Sequence, residues 1–184
     1  MAFRCGSVET EVAQSILDLA MPLYPAITDE QLALIEASHV FFVASADPSQ
    51  EPGPGGVGPV NVSPKGSVPL HVIDRSCVAY LDYPGSGNET ARHAEAGGRT
   101  TIMVCSFEEG DPAIVRLYGR VRITQLEGSP LAERLLKHPG TDLKAPRQVI
   151  ELLIESTQTS CGYGVPVLEF VRERTKADRG RQYK

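Results

Sequence analysis

The spacing of apolar and polar positions changes character along the chain. Over residues 8–20, Val8, Val12, Ile16 and Leu19 recur at intervals of three and four, which places them on one face of a helix. A second helix is predicted from Thr28, an N-cap with Gln31 as its capping-box partner, to about Ala37. From His39 the pattern becomes strand-like. Val40-Phe41-Phe42-Val43-Ala44-Ser45 is a β-rich run, followed by an irregular stretch of proline and glycine from Asp47 to Pro59. Short strands are predicted at Val60–Val62, Leu70–Ile73, Cys77–Leu81, Thr100–Phe107, Ile114–Leu117 and Gly119–Ile123. Helices are predicted at Glu89–Ala96, at Ser129–His138 with its Ser-Pro start, and at Arg147–Glu155, ahead of a polar, basic tail from Lys176. Six short strands separated by turn signals describe an antiparallel sheet that closes wholly or partly on itself, because closure removes exposed strand edges. The expected class is mainly β (α+β) in one domain over residues 1–184. Its barrel core lies at about 38–125 and its helical C-terminal segment at about 129–184.

Composition narrows the function. A chain of 184 residues, 41% hydrophobic, can bury one good core. The net charge of −5 argues against a nucleic-acid binder that works by bulk electrostatics, so any phosphate must be gripped locally. No apolar run approaches the ~20 residues of a membrane span, and no apolar leader with a small-residue cleavage site opens the chain; the expectation is a cytoplasmic protein with no membrane partner. Cys5, Cys77, Cys105 and Cys161 form no C-x-x-C pair and read as structural thiols. His39, His71, His93 and His138 are equally scattered, so no metal site is expected.

Three stretches carry candidate chemistry. Tyr83-Pro84-Gly85-Ser86-Gly87-Asn88-Glu89-Thr90 joins a strand to a helix through a turn rich in glycine and hydroxyls. Such a corner either forms an anion site, with Ser86, Asn88 and Thr90 as donors, or is an ordinary capped helix start. Asn61-Val62-Ser63-Pro64-Lys65-Gly66 presents a hydroxyl and a cation from a strand end, or simply a surface turn. In Arg116-Leu117-Tyr118-Gly119-Arg120-Val121-Arg122 a period of two puts three arginines on one strand face. Their repulsion calls for an anion or for carboxylate neighbours.

Taken in order, Ser63-Pro64-Lys65-Gly66, Tyr80 through Thr90 with His93, Arg99-Thr100-Thr101-Ile102-Met103 and Arg116-Leu117-Tyr118-Gly119 resemble the FMN-binding split barrels related to pyridoxamine 5'-phosphate oxidase. The likeness covers about residues 28–123, and Ser160-Cys161-Gly162-Tyr163-Gly164-Val165-Pro166 resembles a further C-terminal signature. The resemblance implies a six-stranded antiparallel split β-barrel with flanking helices, forming a homodimer with FMN between the subunits. It implies that Asn61, Ser63 and Lys65 meet the flavin or its phosphate, that Ser86, Asn88 and Thr90 hold the phosphate, and that Arg116 faces the same cleft. It also implies a flavin-dependent oxidoreductase with a small-molecule substrate or a nicotinamide donor as its partner. The alternatives are a non-catalytic flavin carrier or sensor, or a relative that binds deazaflavin or haem. No counterpart of the oxidase's arginine- and histidine-bearing C-terminal segment follows Pro166, so pyridoxamine phosphate oxidation itself is not implied. His71 and Tyr118 are acid–base candidates by residue type alone.

Overall fold

A computed structural model describes residues 21–49, 59–85, 87–110, 112–137 and 145–174. The predicted helix at 8–20, most of the Asp47–Pro59 loop, Cys5, Ser86, His138 and the tail from Lys176 lie outside the described residues. In chain order the elements are β1 (Leu23–Tyr24), α1 (Asp29–Ala37), β2 (Val40–Ala46), β3 (Val60–Gly66), β4 (His71–Asp74), β5 (Cys77–Asp82), α2 (Glu89–Glu95), β6 (Thr100–Cys105), β7 (Ala113–Thr124), α3 (Pro130–Leu136) and β8 (Gln148–Cys161).

The strands form one eight-stranded antiparallel sheet in the order β3-β2-β6-β7-β8-β5-β4, with β1 also paired to β8. The sheet curls without closing by hydrogen bonds. Lys65 on the end strand β3 reaches Asp82 on β5, near the opposite end, at 3.8 Å, and its ammonium lies 5.8 Å from the Tyr80 ring centroid. This is a split barrel. Its interior is the larger core, with Phe41, Val43, Val78, Tyr80, Ile102, Val104, Val115, Leu117, Ile150 and Leu152 pointing inward at alternate positions. A smaller cluster packs α3 through Ala132 and Leu135 onto the opposite face of the sheet at Ala79, Leu81 and Val149. With both faces covered, every residue of β5 is buried. The capping box predicted at Thr28 and Gln31 is present, and Ser129 caps α3 with Pro130 at its first position.

Two element expectations need correction. Residues 147–155 are not a helix, and the segment after 129 is not all helical. Gln148–Cys161 is a 14-residue strand that fills the sheet between β7 and β5. Val149-Ile150-Glu151-Leu152-Leu153 packs apolar groups on both faces of the sheet, so its pattern lacks the alternation of a half-buried strand. The strands predicted at 114–117 and 119–123 are one, β7. The irregularity at Tyr118/Gly119 is a bulge on β8, where Glu155 is the unpaired extra residue. A Cβ on Gly119 would stand 2.0 Å from the Leu153 carbonyl oxygen, so glycine permits the close approach at the bulge. Among the described residues the sheet therefore has eight strands, not six.

Candidate functional site

At the opening of the barrel a cavity of about 80 Å³ is lined by Ser63, Lys65, Asp82, Tyr83, Gly85, Asn88, Glu89, Thr90 and Arg147. Alternation on β3 turns Asn61, Ser63 and Lys65 to one half-buried face, while Val60 and Val62 point outward. Pro64 is tolerated because β3 is an edge strand. Asn61 Nδ2 donates to Ser63 Oγ at 3.2 Å, so Asn61 supports the lining rather than joining it.

The cavity floor is the last residue of β5. The Asp82 side chain is 7% exposed, and three groups meet it, one from β3, one from the residue that precedes β8 and one from the first residue of β8. Lys65 Nζ is 3.8 Å from Oδ1, Arg147 Nε donates to Oδ2 at 2.6 Å, and Gln148 Nε2 donates to Oδ2 at 2.9 Å. The Arg147 backbone N–H also donates to the Asp82 carbonyl at 2.8 Å. Gln148 Nε2 makes a second bond, to Asn88 Oδ1 at 3.0 Å. Asn88 has φ 57° and ψ 32°, a left-handed conformation that asparagine tolerates, and its side chain does not cap α2. Between the two alternatives for this corner, Asn88 is thus not an ordinary cap. The Glu89 carboxylate folds back over Gly87, where a Cβ would lie 1.6 Å from Oε1, and pairs with Arg92 at 3.6 Å. Burial, and then the Asp82 carboxylate, push the Tyr80 phenol above its ordinary range, keeping it neutral.

The cavity wall thus carries two cations, Lys65 and Arg147, two carboxylates, Asp82 and Glu89, and the polar side chains of Ser63, Asn88 and Thr90. About 80 Å³ holds two or three waters at ~30 Å³ each, room for a phosphoryl group but well below the 300 Å³ or more that encloses a small-molecule ligand.

A sequence profile described as pyridoxamine 5'-phosphate oxidase matches residues 27–161. A protein of Aspergillus flavus, the pyridoxamine 5'-phosphate oxidase family protein ustO, is 36% identical over 152 residues. This chain belongs to the pyridoxamine 5'-phosphate oxidase family. The Aspergillus alignment covers 81% of this chain but only 58% of that relative's length. Among solved structures, a variant of HupZ from Group A Streptococcus matches with a TM-score of 0.55 at 23% identity, covering 73% of this chain and 99% of that one. A Lactobacillus delbrueckii structure named for pyridoxamine 5'-phosphate oxidase matches with a TM-score of 0.52 at 22% identity, covering 73% and 94%. At these identities both establish the fold alone.

Of the residues singled out in the sequence, this family member brings Ser63, Lys65, Asn88 and Thr90 to one cavity, with Asn61 beside it. Ser86 lies outside the described residues. Arg116 is elsewhere, on the outer face of β7, where Nη1 donates to Ser160 Oγ at 2.7 Å. The other two arginines of that face meet carboxylates of β8. Arg120 pairs with Glu155 at 3.3 Å, and Arg122 holds Glu151 at 2.5 Å. Of the two explanations for the arginine face, carboxylate neighbours account for Arg120 and Arg122. Tyr118 Oη donates to Gln158 Oε1 at 3.1 Å, which gives it a structural partner. Asp82, Arg147 and Gln148 went unrecognised in the sequence. Arg147 and Gln148 fell in a segment read as helix, and nothing local ties them to residue 82.

Among the described residues no group of three His, Cys, Asp or Glu side chains could hold a metal, and no helix is long and apolar enough to cross a membrane. Cys77 and Cys105 are buried, and burial raises both thiols above their ordinary range. Cys161 is exposed.

Proposed function

We propose that the chain is an FMN-binding protein and a flavin-dependent oxidoreductase acting on a small molecule, working as a single-domain protomer of a homodimer. The observation that carries the reading is the cavity in which Lys65 and Arg147 converge with Ser63, Asn88 and Thr90. Family membership supports a flavin as its occupant.

Size supports the dimer. A cavity of about 80 Å³ accepts the phosphoryl end of FMN and leaves the ring system outside, so a second protein surface is needed to enclose it. Among the described residues no histidine or cysteine lines the cavity, which favours a phosphorylated ligand over haem. A bound flavin supplies hydride or electron transfer, and the protein supplies orientation and two fixed cations. Lys65 and Arg147 provide the charge, Ser63 and Thr90 provide hydroxyl donors, and the neutral Tyr80 ring floors the lysine.

Mass spectrometry of the small molecules released from purified protein, combined with fluorescence titration of the stripped protein with FMN, tests the reading. FMN is expected to copurify, and Lys65→Ala should weaken its binding by about 1–3 kcal/mol, roughly 5- to 150-fold, the range for losing a charge-assisted hydrogen bond. Bleaching of the yellow protein by NADH or NADPH supports turnover, and inertness to both favours a carrier. A protein that neither carries nor takes up FMN, or that stays monomeric by light scattering when loaded, refutes the proposal.

A further inference from the structure

We infer that Arg147, held by Asp82 and aligned with an Asn88 amide that Gln148 orients, is the residue by which this chain selects a phosphorylated flavin over the unphosphorylated one. The inference rests on the flavin reading above and adds the specificity of the same site.

Arg147 carries five N–H groups in a rigid fork. Its Nε is spent on Asp82 Oδ2 at 2.6 Å, and its backbone N–H on the Asp82 carbonyl at 2.8 Å. The backbone bond anchors the main chain of Arg147 beside Asp82, and the Nε bond orients the guanidinium. Its two terminal nitrogens have no partner among the described residues, and the side chain, 28% exposed, borders the cavity. A fork anchored through Nε and open at both Nη atoms is prepared for a bidentate oxyanion.

Asn88 is prepared in the same way. Its amide can face the cavity with either oxygen or nitrogen, and only nitrogen donates to an anion. Gln148 decides between them. Each of its two Nε2 protons has an acceptor, Asp82 Oδ2 at 2.9 Å and Asn88 Oδ1 at 3.0 Å. The Asn88 oxygen is therefore committed to Gln148, and Nδ2, with no other partner among the described residues, is left to donate. Asp82 and Gln148 are positioning residues: neither need touch the ligand, yet one fixes the fork and the other fixes the amide. All three side chains come from where β8 begins and β5 ends, with Asp82 and Gln148 directly opposed in the ladder. Riboflavin ends in a single neutral hydroxyl where FMN carries a phosphate, and one hydroxyl cannot satisfy all of these donors. Leaving them unpaired in a half-buried site costs affinity, and this is the basis of the discrimination.

The experiment titrates the stripped, full-length protein with FMN and with riboflavin, and repeats the FMN titration against inorganic phosphate. Wild type should bind FMN more tightly than riboflavin, with phosphate competing. Arg147→Ala should reduce the FMN-to-riboflavin affinity ratio by about tenfold or more, and Gln148→Leu by about threefold or more, with the loss falling on FMN and not on riboflavin. Arg147→Lys guards against misfolding, because it keeps a cation for Asp82 while removing the fork, and it should still reduce the ratio by about fivefold. A purely structural role would weaken both flavins alike. If the Arg147→Lys ratio matches wild type while FMN still binds, the inference falls and the flavin reading stands. If wild type binds neither flavin, both fall.

Discussion

The Arg122–Glu151 pair on the outer face of the barrel offers a quantitative test of how β7 and β8 hold together. Glu151 is a carboxylate with a side chain only 4% exposed, while Arg122 is 59% exposed. Two hydrogen bonds join them at 3.2 and 2.5 Å, and Thr124 Oγ1 also donates to Glu151. Burial alone would raise the Glu151 carboxyl, but the bonds from Arg122 and Thr124 outweigh it and hold the group below its ordinary 4.5. Arg122→Ala leaves a buried carboxylate with one hydroxyl partner. Stripping a fully buried pair costs about 3–5 kcal/mol, and the exposure of Arg122 reduces this to about 2 kcal/mol. At roughly 2–4 °C per kcal/mol for a chain of this size, the melting temperature at neutral pH falls by about 4–8 °C. The pH dependence is the sharper part. A carboxyl depressed in the folded state stabilises the protein above its unfolded value and loses that contribution as pH falls through the folded value. The gap between wild type and Arg122→Ala should therefore be full at neutral pH and shrink in acid, as Glu151 protonates first in the variant, where the lowering effect of Arg122 is gone, and then in wild type. Calorimetric melts of both proteins across that range, at matched concentration, provide the check. A gap that is absent at neutral pH, or undiminished in acid, refutes the reasoning.

Two further outcomes are expected. Gly119→Ala drives a methyl to within 2.0 Å of the Leu153 carbonyl oxygen, an obstacle of backbone that cannot rotate away. The variant should lose about 3 kcal/mol, seen as a lower urea midpoint at unchanged slope, and a midpoint equal to wild type would contradict the tight approach at the bulge. Glu89→Gln removes the carboxylate that shares the cavity with Lys65 and Arg147, so FMN affinity should rise by roughly two- to tenfold in low salt and less in high salt. Weaker binding in a titration would show that Glu89 supports the site instead of opposing its ligand.

Local physics made much of this molecule legible in the chain. The Thr28–Gln31 capping box and the Ser129-Pro130 helix start follow from orphan N–H groups that only certain residues at fixed offsets satisfy. Strands β2 to β7 follow from β-branched runs bounded by turn residues. Four of the seven proposed site residues line one cavity: Ser63 and Lys65 sit in one short motif and Asn88 and Thr90 in another, each with local geometry, and the curl of the sheet brings the two motifs together. Arg116 does not join them there: period two placed it correctly on a face, but which face looks into which cleft depends on how the sheet curls.

What the sequence determined unaided was the set of local conformations and their alternation, since these depend on neighbours within a few residues. The tertiary structure alone decided the rest. Residues 148–153 carry apolar groups on both faces because β8 lies between the barrel core and α3, and without those layers the run reads equally well as helix. The carboxylates that neutralise Arg120 and Arg122, and the Asp82, Arg147 and Gln148 cluster, pair residues 29 to 66 positions apart. Separations of that size are set by strand order, and strand order is fixed by burying the whole apolar surface at once, a quantity no local window contains.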